Sequence, residues 1–552
     1  MLRTPSASRS AVLMFVAALL TATGGAVALA APGAASGPPS TAQQEKGMTV
    51  GAPFRDPTNA DIDAGANHDL TITLDASDTH FSLSGKKVWG ESYNGGFVAP
   101  TLRFNPGAEL TVHLVNNLKV ATNLHFHGMH VSPEDHSDDA FLCAAPGTTL
   151  TYHLAIPADH PQGTYWYHSH AMGTTCPAPG SPAAMDDVDT SMAGMANMPG
   201  MAEAASTTST PTTAGTPTPA PFMPGDVEDQ IFAGLSGAMV VGDDRTLLPA
   251  AYHGVEAHTF VFKDAQIDAS GHIVQNTATT SIDSNAPTVR LVNGQLRPTF
   301  TLRPNQTELW RLANAGADIF YQLQLDGYHF TVVGEDGVPV AQSRAADTLL
   351  LPPGKRYDVL VTANGKAGQT WLRTTAYSNG PQGDQYPDTE LVKVAVKGSG
   401  VARLPEFSGA VRTAPADLAT APIAQQRTVD LSESADGLSF YINGKQFDMS
   451  QSVFATPAKL GTVEEWTILN EAGEDHPFHL HVTPFQVMSV NGVTQPYTHM
   501  QDTVPIPHAE NGVPGKVVIR VPFNDYPGRW MFHCHIAAHE DNGMMSYINV
   551  VS

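Results

Sequence analysis

The stretch His533-Cys534-His535-Ile536-Ala537-Ala538-His539-Glu540-Asp541-Asn542-Gly543-Met544-Met545 governs the reading of the whole chain. A cysteine thiolate with histidine and a distant methionine is the ligand set of a blue copper electron-transfer centre, soft enough to hold the metal in both oxidation states. Side chains alternate along an extended strand, so His533 and His535 face one way and Cys534 the other. The pattern predicts one strand serving two linked copper sites, with Cys534, His539 and Met544 at the first and the flanking histidines at the second.

Three further His-x-His pairs stand upstream: His125 and His127 in HFHG, His168 and His170 in WYHSH, and His479 and His481 in HPFHLH, which begins at His476. Chance gives roughly one such pair in a chain this rich in histidine, so four pairs on strand-like segments need another cause. Structural zinc wants about four ligands with cysteine pairs or close histidine spacing. Ligands spread over two distant regions do not fit it.

Internal repetition sets the domain count. APTLRFNPGAELTVHLVNNL from Ala99, LRPTFTLRPNQTELWRLANAG from Leu296 and LGTVEEWTILNEAG from Leu460 share a turn followed by an alternating strand that ends in Asn. Later in each unit Gly163, Gly368 and Gly528 precede Trp166, Trp371 and Trp530, and five residues after each glycine stand His168, Arg373 and His533. Gln322-Leu323-Gln324 takes the place of His479-Leu480-His481, so the middle copy has the fold signal without metal ligands. Alternating strands between frequent turns predict an all-β chain of three tandem Greek-key sandwiches of cupredoxin type. The domains are placed at about 50–245, 250–400 and 415–552, with a linker near Gly398 to Pro415. A long insertion, about 172–229, interrupts the first domain before a last strand read as IFAGLSGAMVV.

Composition agrees with that class. Only 15% of residues are charged, while Gly and Pro number 48 and 42, as short strands joined by turns require. The formal charge of −24 argues against nucleic acid or an anionic membrane as partner and favours cations. Residues 1–31 combine Arg3 and Arg9 with an apolar run from Ala11 to Leu20 and the cleavage signal Ala28-Leu29-Ala30 before Ala31. This predicts a secretory signal peptide of the Sec type, because the two arginines are not adjacent. No later stretch is long and apolar enough to span a bilayer, so no membrane anchor is expected after cleavage. Of three cysteines one belongs to the copper motif. Cys143 and Cys176 are expected to form a disulfide in an oxidising compartment, with free thiols or a copper-holding thiol as the alternatives.

On these four motifs, in this order and spacing, the chain resembles the three-domain multicopper oxidases, the family of laccases, bilirubin oxidases and bacterial copper-efflux and spore-coat oxidases. The resemblance covers nearly the whole mature chain and implies four copper ions. It makes His476, Cys534 and His539 ligands of the type 1 copper with Met544 as weak axial contact. His125 and His479 would hold the type 2 copper. The type 3 pair would be shared between His127, His168 and His535 on one ion and His170, His481 and His533 on the other. It also implies oxidation near the protein surface and reduction of O2 to water between the first and third domains.

Oxygen reduction consumes protons, so a carboxyl group beside the cluster is required. Glu540 is the first candidate, since bacterial relatives with an HE-D-x-G-M sequence carry an acid there. Asp138, in PEDHSDD, is the second, with Asp135 and Asp139 as alternatives in the same loop. Within the insertion Met192, Met195, Met198 and Met201 are spaced by three, and thioethers favour Cu(I). Copper-efflux oxidases carry their methionine-rich segment in the third domain, so its role does not transfer directly. His130, His136, His153, His160 and His508 have no motif around them and are read as surface residues. The leading expectation is a secreted laccase-like oxidase of phenols, aryl amines or Cu(I). A narrower cuprous oxidase for copper tolerance and a copper-sequestering or coat protein are the rivals. The clustered motifs and the third domain exclude a copper nitrite reductase.

Overall fold

A computed structural model describes residues 38–552, apart from 61, 65–68, 177–225, 278–280 and 412–414. The chain forms three successive β-sandwiches, each closed by the same connections. In every copy an early strand lies parallel to the strand that ends in the repeated Asn: Asp69–Leu83 with Glu109–Asn116, Ala257–Ala265 with Thr307–Asn314, and Ile423–Glu433 with Thr462–Asn470. The opposite sheet of each copy has its own parallel pair: Ala99–Phe104 with Ser236–Val241, Thr299–Leu302 with Thr389–Val396, and Ala458–Lys459 with Met545–Val551.

The repeated Asn explains why three dissimilar sequences keep one topology. Asn116, Asn314 and Asn470 are all fully buried. Each accepts an N–H from two residues on, at Leu118, Gly316 and Ala472. Each also donates to two carbonyls: Val120 and Ala144, Ile319 and Leu351, Glu474 and Ile506. One amide thereby ties the strand end to the following loop and to a distant segment, using its acceptor and both donors. Removal would leave buried carbonyls unpaired, at a cost of about 1–3 kcal/mol per group.

Burial follows position. Glu109–Asn116 and Thr462–Asn470 alternate between buried and partly exposed residues, whereas Thr307–Asn314 is buried at every position. The middle strand is covered on both faces because Gly163–His168 of the first sandwich packs on it. Polar links between the two sandwiches include Arg311 to Asp244 at 2.6 Å, Thr164 N–H to Asp358 at 3.2 Å, and Arg356 Nε to the Thr164 carbonyl at 3.3 Å.

Two expectations are corrected. The segment read as the final strand from Ile231 begins as a helix, Val227–Ala233, and turns at Gly234 with φ +143° before the strand Ser236–Val241. Val227, Ile231 and Phe232 pack in the apolar seam with Trp166, Val261 and Ala537, so the end of the predicted insertion belongs to the folded sandwich. His160 is buried rather than exposed, with Nε2 accepting the His130 N–H and Nδ1 bonded to the Pro161 carbonyl. Met192, Met195, Met198 and Met201 lie outside the described residues, as does the predicted signal segment. Cys143 and Cys176 form a disulfide at the start of the insertion. Among the described residues no helix is long and apolar enough to cross a membrane.

Candidate metal centre

The strand Gly528–Cys534 pairs with His476–Leu480, placing His479 opposite His533 and Phe478 opposite Cys534. An isolated bridge joins His125 to His168 in the first sandwich. Alternation then sends neighbouring side chains to two nests. On one side, Cys534 Sγ lies 3.5 Å from His476 Nδ1 and 3.6 Å from His539 Nδ1, and the two imidazole nitrogens are 3.2 Å apart. Those edges suit three donors around one ion with bonds of about 2.0–2.3 Å. The Met544 carbonyl accepts the Cys534 N–H, and the Met544 side chain is fully buried.

On the other side eight imidazoles converge. His125 stacks on His481 at 3.7 Å between ring centres, and His127 on His479 at 3.8 Å, so the two sandwiches contribute matched pairs. His127 Nδ1 faces His535 Nε2 at 3.1 Å, and His481 Nε2 faces His533 Nε2 at 3.2 Å. His170, His481 and His533 bring one ring nitrogen each within 4.8 Å of one another, as do His125, His127 and His168.

The far nitrogen of many rings is occupied by protein. His168, His479 and His533 donate Nδ1–H to the carbonyls of Ser169, Asp502 and Cys534, at 2.7, 2.9 and 2.8 Å. His125 Nδ1 shares a hydrogen bond with Asp138 at 3.0 Å, and His127 Nε2 one with Asp502 at 3.2 Å. Such partners fix the tautomer and leave the remaining nitrogen with a lone pair aimed inward. His125 Nε2, His168 Nε2 and His479 Nε2 are buried without a hydrogen-bond partner. Burial, reinforced by the neighbouring rings, holds His125, His127, His168, His481 and His535 well below the usual imidazole range, and His170 at about 4. Burial alone takes His476 to about 3, and burial reinforced by the carboxyls of Glu474, Glu540 and Asp318 pushes the Cys534 thiol upward. Neutral imidazoles with inward lone pairs, and a buried sulfur that needs a cation to ionise, are a donor set that fits copper.

Both expected carboxyls reach the nest. Glu540 lies 3.3 Å from His170 Nε2 and 3.0 Å from His533 Nδ1, whose N–H points to the Cys534 carbonyl instead. It sits on the short helix Ala537–Asp541. Asp138 accepts the Phe126 N–H while facing His125, and burial raises its carboxyl well above the usual range. Asp139 turns to the Phe141 N–H, and Asp135 is exposed in a turn with φ +57°. The loop therefore brings Asp138 to the histidines.

Sequence reasoning missed the groups that brace the nest. Asp502 touches His127 and is clasped by Arg356 at 2.8 and 2.7 Å, all three buried. Burial would raise the Asp502 carboxyl, but Arg356 outweighs it and holds it below the carboxylate range. The middle sandwich therefore supports the site without supplying a histidine. Gly354 lies so close that a Cβ there would fall 2.8 Å from the His535 ring, and a Cβ on Gly128 of HFHG would fall 2.4 Å from Arg356. Glu474 was also missed. It stands 3.2 Å from His539 Nε2, on the ring that stacks against Phe440 at 4.1 Å. The only sequence signal was an acid two residues before HPFHLH.

Three multicopper oxidase family models match residues 75–181, 256–394 and 419–552. A Bacillus subtilis laccase is 24% identical over 559 residues, covering 88% of this chain and 94% of the relative. A multicopper oxidase of Staphylococcus haemolyticus is 24% identical, covering 83% of each. The solved structure of a Campylobacter jejuni multicopper oxidase, described as a metallo-oxidase, superposes with a TM-score of 0.70 at 25% identity, covering 92% of this chain and 96% of that one. With the match spread over all three sandwiches, the chain belongs to the multicopper oxidase family, copper-dependent oxidoreductases that take O2 as acceptor.

Proposed function

We propose that the chain is an exported laccase-like oxidase of the four-copper type, coupling four one-electron oxidations to reduction of O2 to two waters. The reading rests on one observation: Cys534 faces His476 and His539, while its chain neighbours His533 and His535 face the eight-histidine nest. In this assignment His476, Cys534 and His539 would hold type 1 copper, with Met544 as a weak further contact. His125 and His479 would hold type 2. His127, His168 and His535, with His170, His481 and His533, would hold the type 3 pair. Bound copper supplies one-electron exchange at the first set and the stored electrons for O2 at the second.

The chain's own residues do the rest. His539 is the donor edge, because it retains 7% exposure while His476 is fully buried. Peptide bonds link Cys534 directly to both flanking histidines, and the His533 N–H to the Cys534 carbonyl adds a second link. Four electrons and four protons must reach each O2. Glu540 beside His170 and His533, and Asp138 beside His125, are placed to carry the protons at their carboxyl oxygens.

Phenols, aryl amines and Cu(I) are the donors considered. The narrower reading, a cuprous oxidase, draws support from Glu474 at the His539 edge, in the electrostatic company of Glu433, Asp384 and Asp475. An acidic rim favours a cation over a neutral phenol. Met192, Met195, Met198 and Met201 would add soft donors for Cu(I). The Cys143–Cys176 disulfide supports export to an oxidising compartment, and a mature protein starting at Ala31 is the mass-spectrometric expectation.

Oxygen uptake by the copper-loaded protein, with Cu(I) against a simple phenol and with residues 190–202 deleted or present, tests the reading. A strong Cu(I) preference lost on deletion makes it a copper-detoxifying oxidase. A phenol preference indifferent to deletion makes it a general laccase. No uptake with either donor returns it to the sequestration reading and overturns the proposal.

A further inference from the structure

Away from both nests, a cleft of about 550 Å³ opens where the first sandwich meets the loop 266–277 of the middle one. Glu91 of the strand Lys86–Tyr93, Asp226 and Asp229 at the start of the helix Val227–Ala233, and Asp268 line it, with Trp89 and Gln275. An Asp78–Lys119 pair at 3.5 Å sits on the rim, and that lysine side chain is 90% exposed. Acidic residues at a surface are ordinary. Glu91 is different: it is only 8% exposed, and its Oε2 has no hydrogen-bond partner. Its Oε1 takes one long bond, from Gln275 at 3.3 Å. A buried carboxyl oxygen left unpaired beside other carboxyls costs free energy unless something positive joins it.

The neighbours are already tethered. Asp226 accepts from Gln230 at 2.8 Å, and Asp229 accepts the Asn276 N–H at 2.6 Å, which bridges first sandwich to middle. Each carboxylate is therefore held in position at the cleft wall. We propose that this cleft is a site for a hard divalent cation of the calcium class, held by Glu91, Asp226 and Asp229, fastening the first sandwich to the middle one at the point where the insertion re-enters the fold. Oxygen donors with room for water suit calcium, which takes six to eight oxygens in flexible geometry. Among the described residues the one imidazole of the cleft, His272, is engaged through Nδ1 with Ser270 at 2.8 Å, and no thiol or thioether lines it, so soft metals are poorly served there. Burial raises Glu91 to about 8 and Asp226 and Asp229 to about 6, and repulsion from neighbouring carboxyls adds to it at Glu91 and Asp226. A bound dication relieves that repulsion.

Trp89 on the cleft wall makes the site observable. With copper-loaded protein in chelator-treated buffer, terbium(III) serves as a luminescent stand-in for calcium, excited through tryptophan. Sensitised emission is expected, displaced by calcium and lost in Trp89→Phe, whose calcium response is retained. Calcium at 100-fold over its Kd is expected to raise the melting temperature by about 2–3 °C. Glu91→Gln should lose both signals, melt higher than the parent without calcium, and keep the blue absorbance and oxygen uptake. Asp229→Asn, on the more exposed acid, is the second variant, and a clear fall in terbium affinity is expected. The proposal is overturned if calcium leaves the melting temperature unchanged, if Glu91→Gln and Asp229→Asn respond like the parent, or if copper(II) displaces terbium more strongly than calcium does.

Discussion

Replacing Arg356 by methionine removes the cation that steadies the histidine nest from the middle sandwich. Its guanidinium forms two bonds to Asp502, at 2.8 and 2.7 Å, with the arginine fully buried and Asp502 2% exposed. Loss of one partner from a buried ion pair leaves the other charge uncompensated, at about 3–5 kcal/mol. An unfolding entropy near 2.1 cal/mol/K per residue makes that about 3–5 °C for a chain of this length. The effect should not stop at stability. Asp502 also holds His127 Nε2 through its carboxylate and His479 Nδ1 through its carbonyl. Arg356→Met is therefore expected to lower copper retention at the histidine nest while the blue absorbance of the Cys534 set survives. Arg356→Lys, which keeps the charge but not the fork, should fall between. Metal analysis after dialysis against a mild chelator, beside calorimetry, measures both. Full copper content with a melting shift below 1 °C would refute the bracing role, as would equal loss from both copper sets.

Met544→Leu is expected to raise the type 1 potential while the blue band persists, because a thioether stabilises the oxidised centre more than no ligand does; redox titration showing a fall would remove Met544 from the axial position. Glu540→Gln and Asp138→Asn should each slow oxygen uptake by about 100-fold or more with the blue band intact and an altered solvent isotope effect, and an unchanged rate would dismiss that carboxyl from proton transfer. Glu91 is raised from 4.5 to about 8 in the folded chain, so the folded state binds the extra proton. Stability from this group is full below pH 4.5 and is lost as pH rises toward 8, by at most about 5 kcal/mol before relaxation. Denaturation without divalent cations should show that decline, and Glu91→Gln should flatten it; an identical slope in both would disprove the assignment.

The copper motifs could be read because alternation along a strand is local: His533, Cys534 and His535 need only extended backbone to face two ways. The three Asn-ended strands were visible for the same reason. Asp502 and Arg356 were not, since 146 residues separate them and neither lies in a pattern that betrays burial. Glu474 meets His539 only after the helix Ala537–Asp541 folds back over Phe440. The helix Val227–Ala233 was mistaken for strand because a short apolar run carries no decisive period, and its buried face is set by Trp166 and Ala537 rather than by its own sequence. The carboxyl choice was open among three aspartates until Asp138 was seen beside Phe126 and His125.

The outward nitrogens of the histidine rings have a consequence for the life history of the molecule. Ser169, Cys534 and Asp502 orient their rings through backbone carbonyls, and the strand ends are locked by Asn116, Asn314 and Asn470, whose amides bond only backbone. Unlike a zinc finger, whose collapse waits for its ion, this scaffold can assume its shape first and be filled afterwards. Maturation becomes two separable events, folding of an empty chain, then metallation of sockets already cut to size.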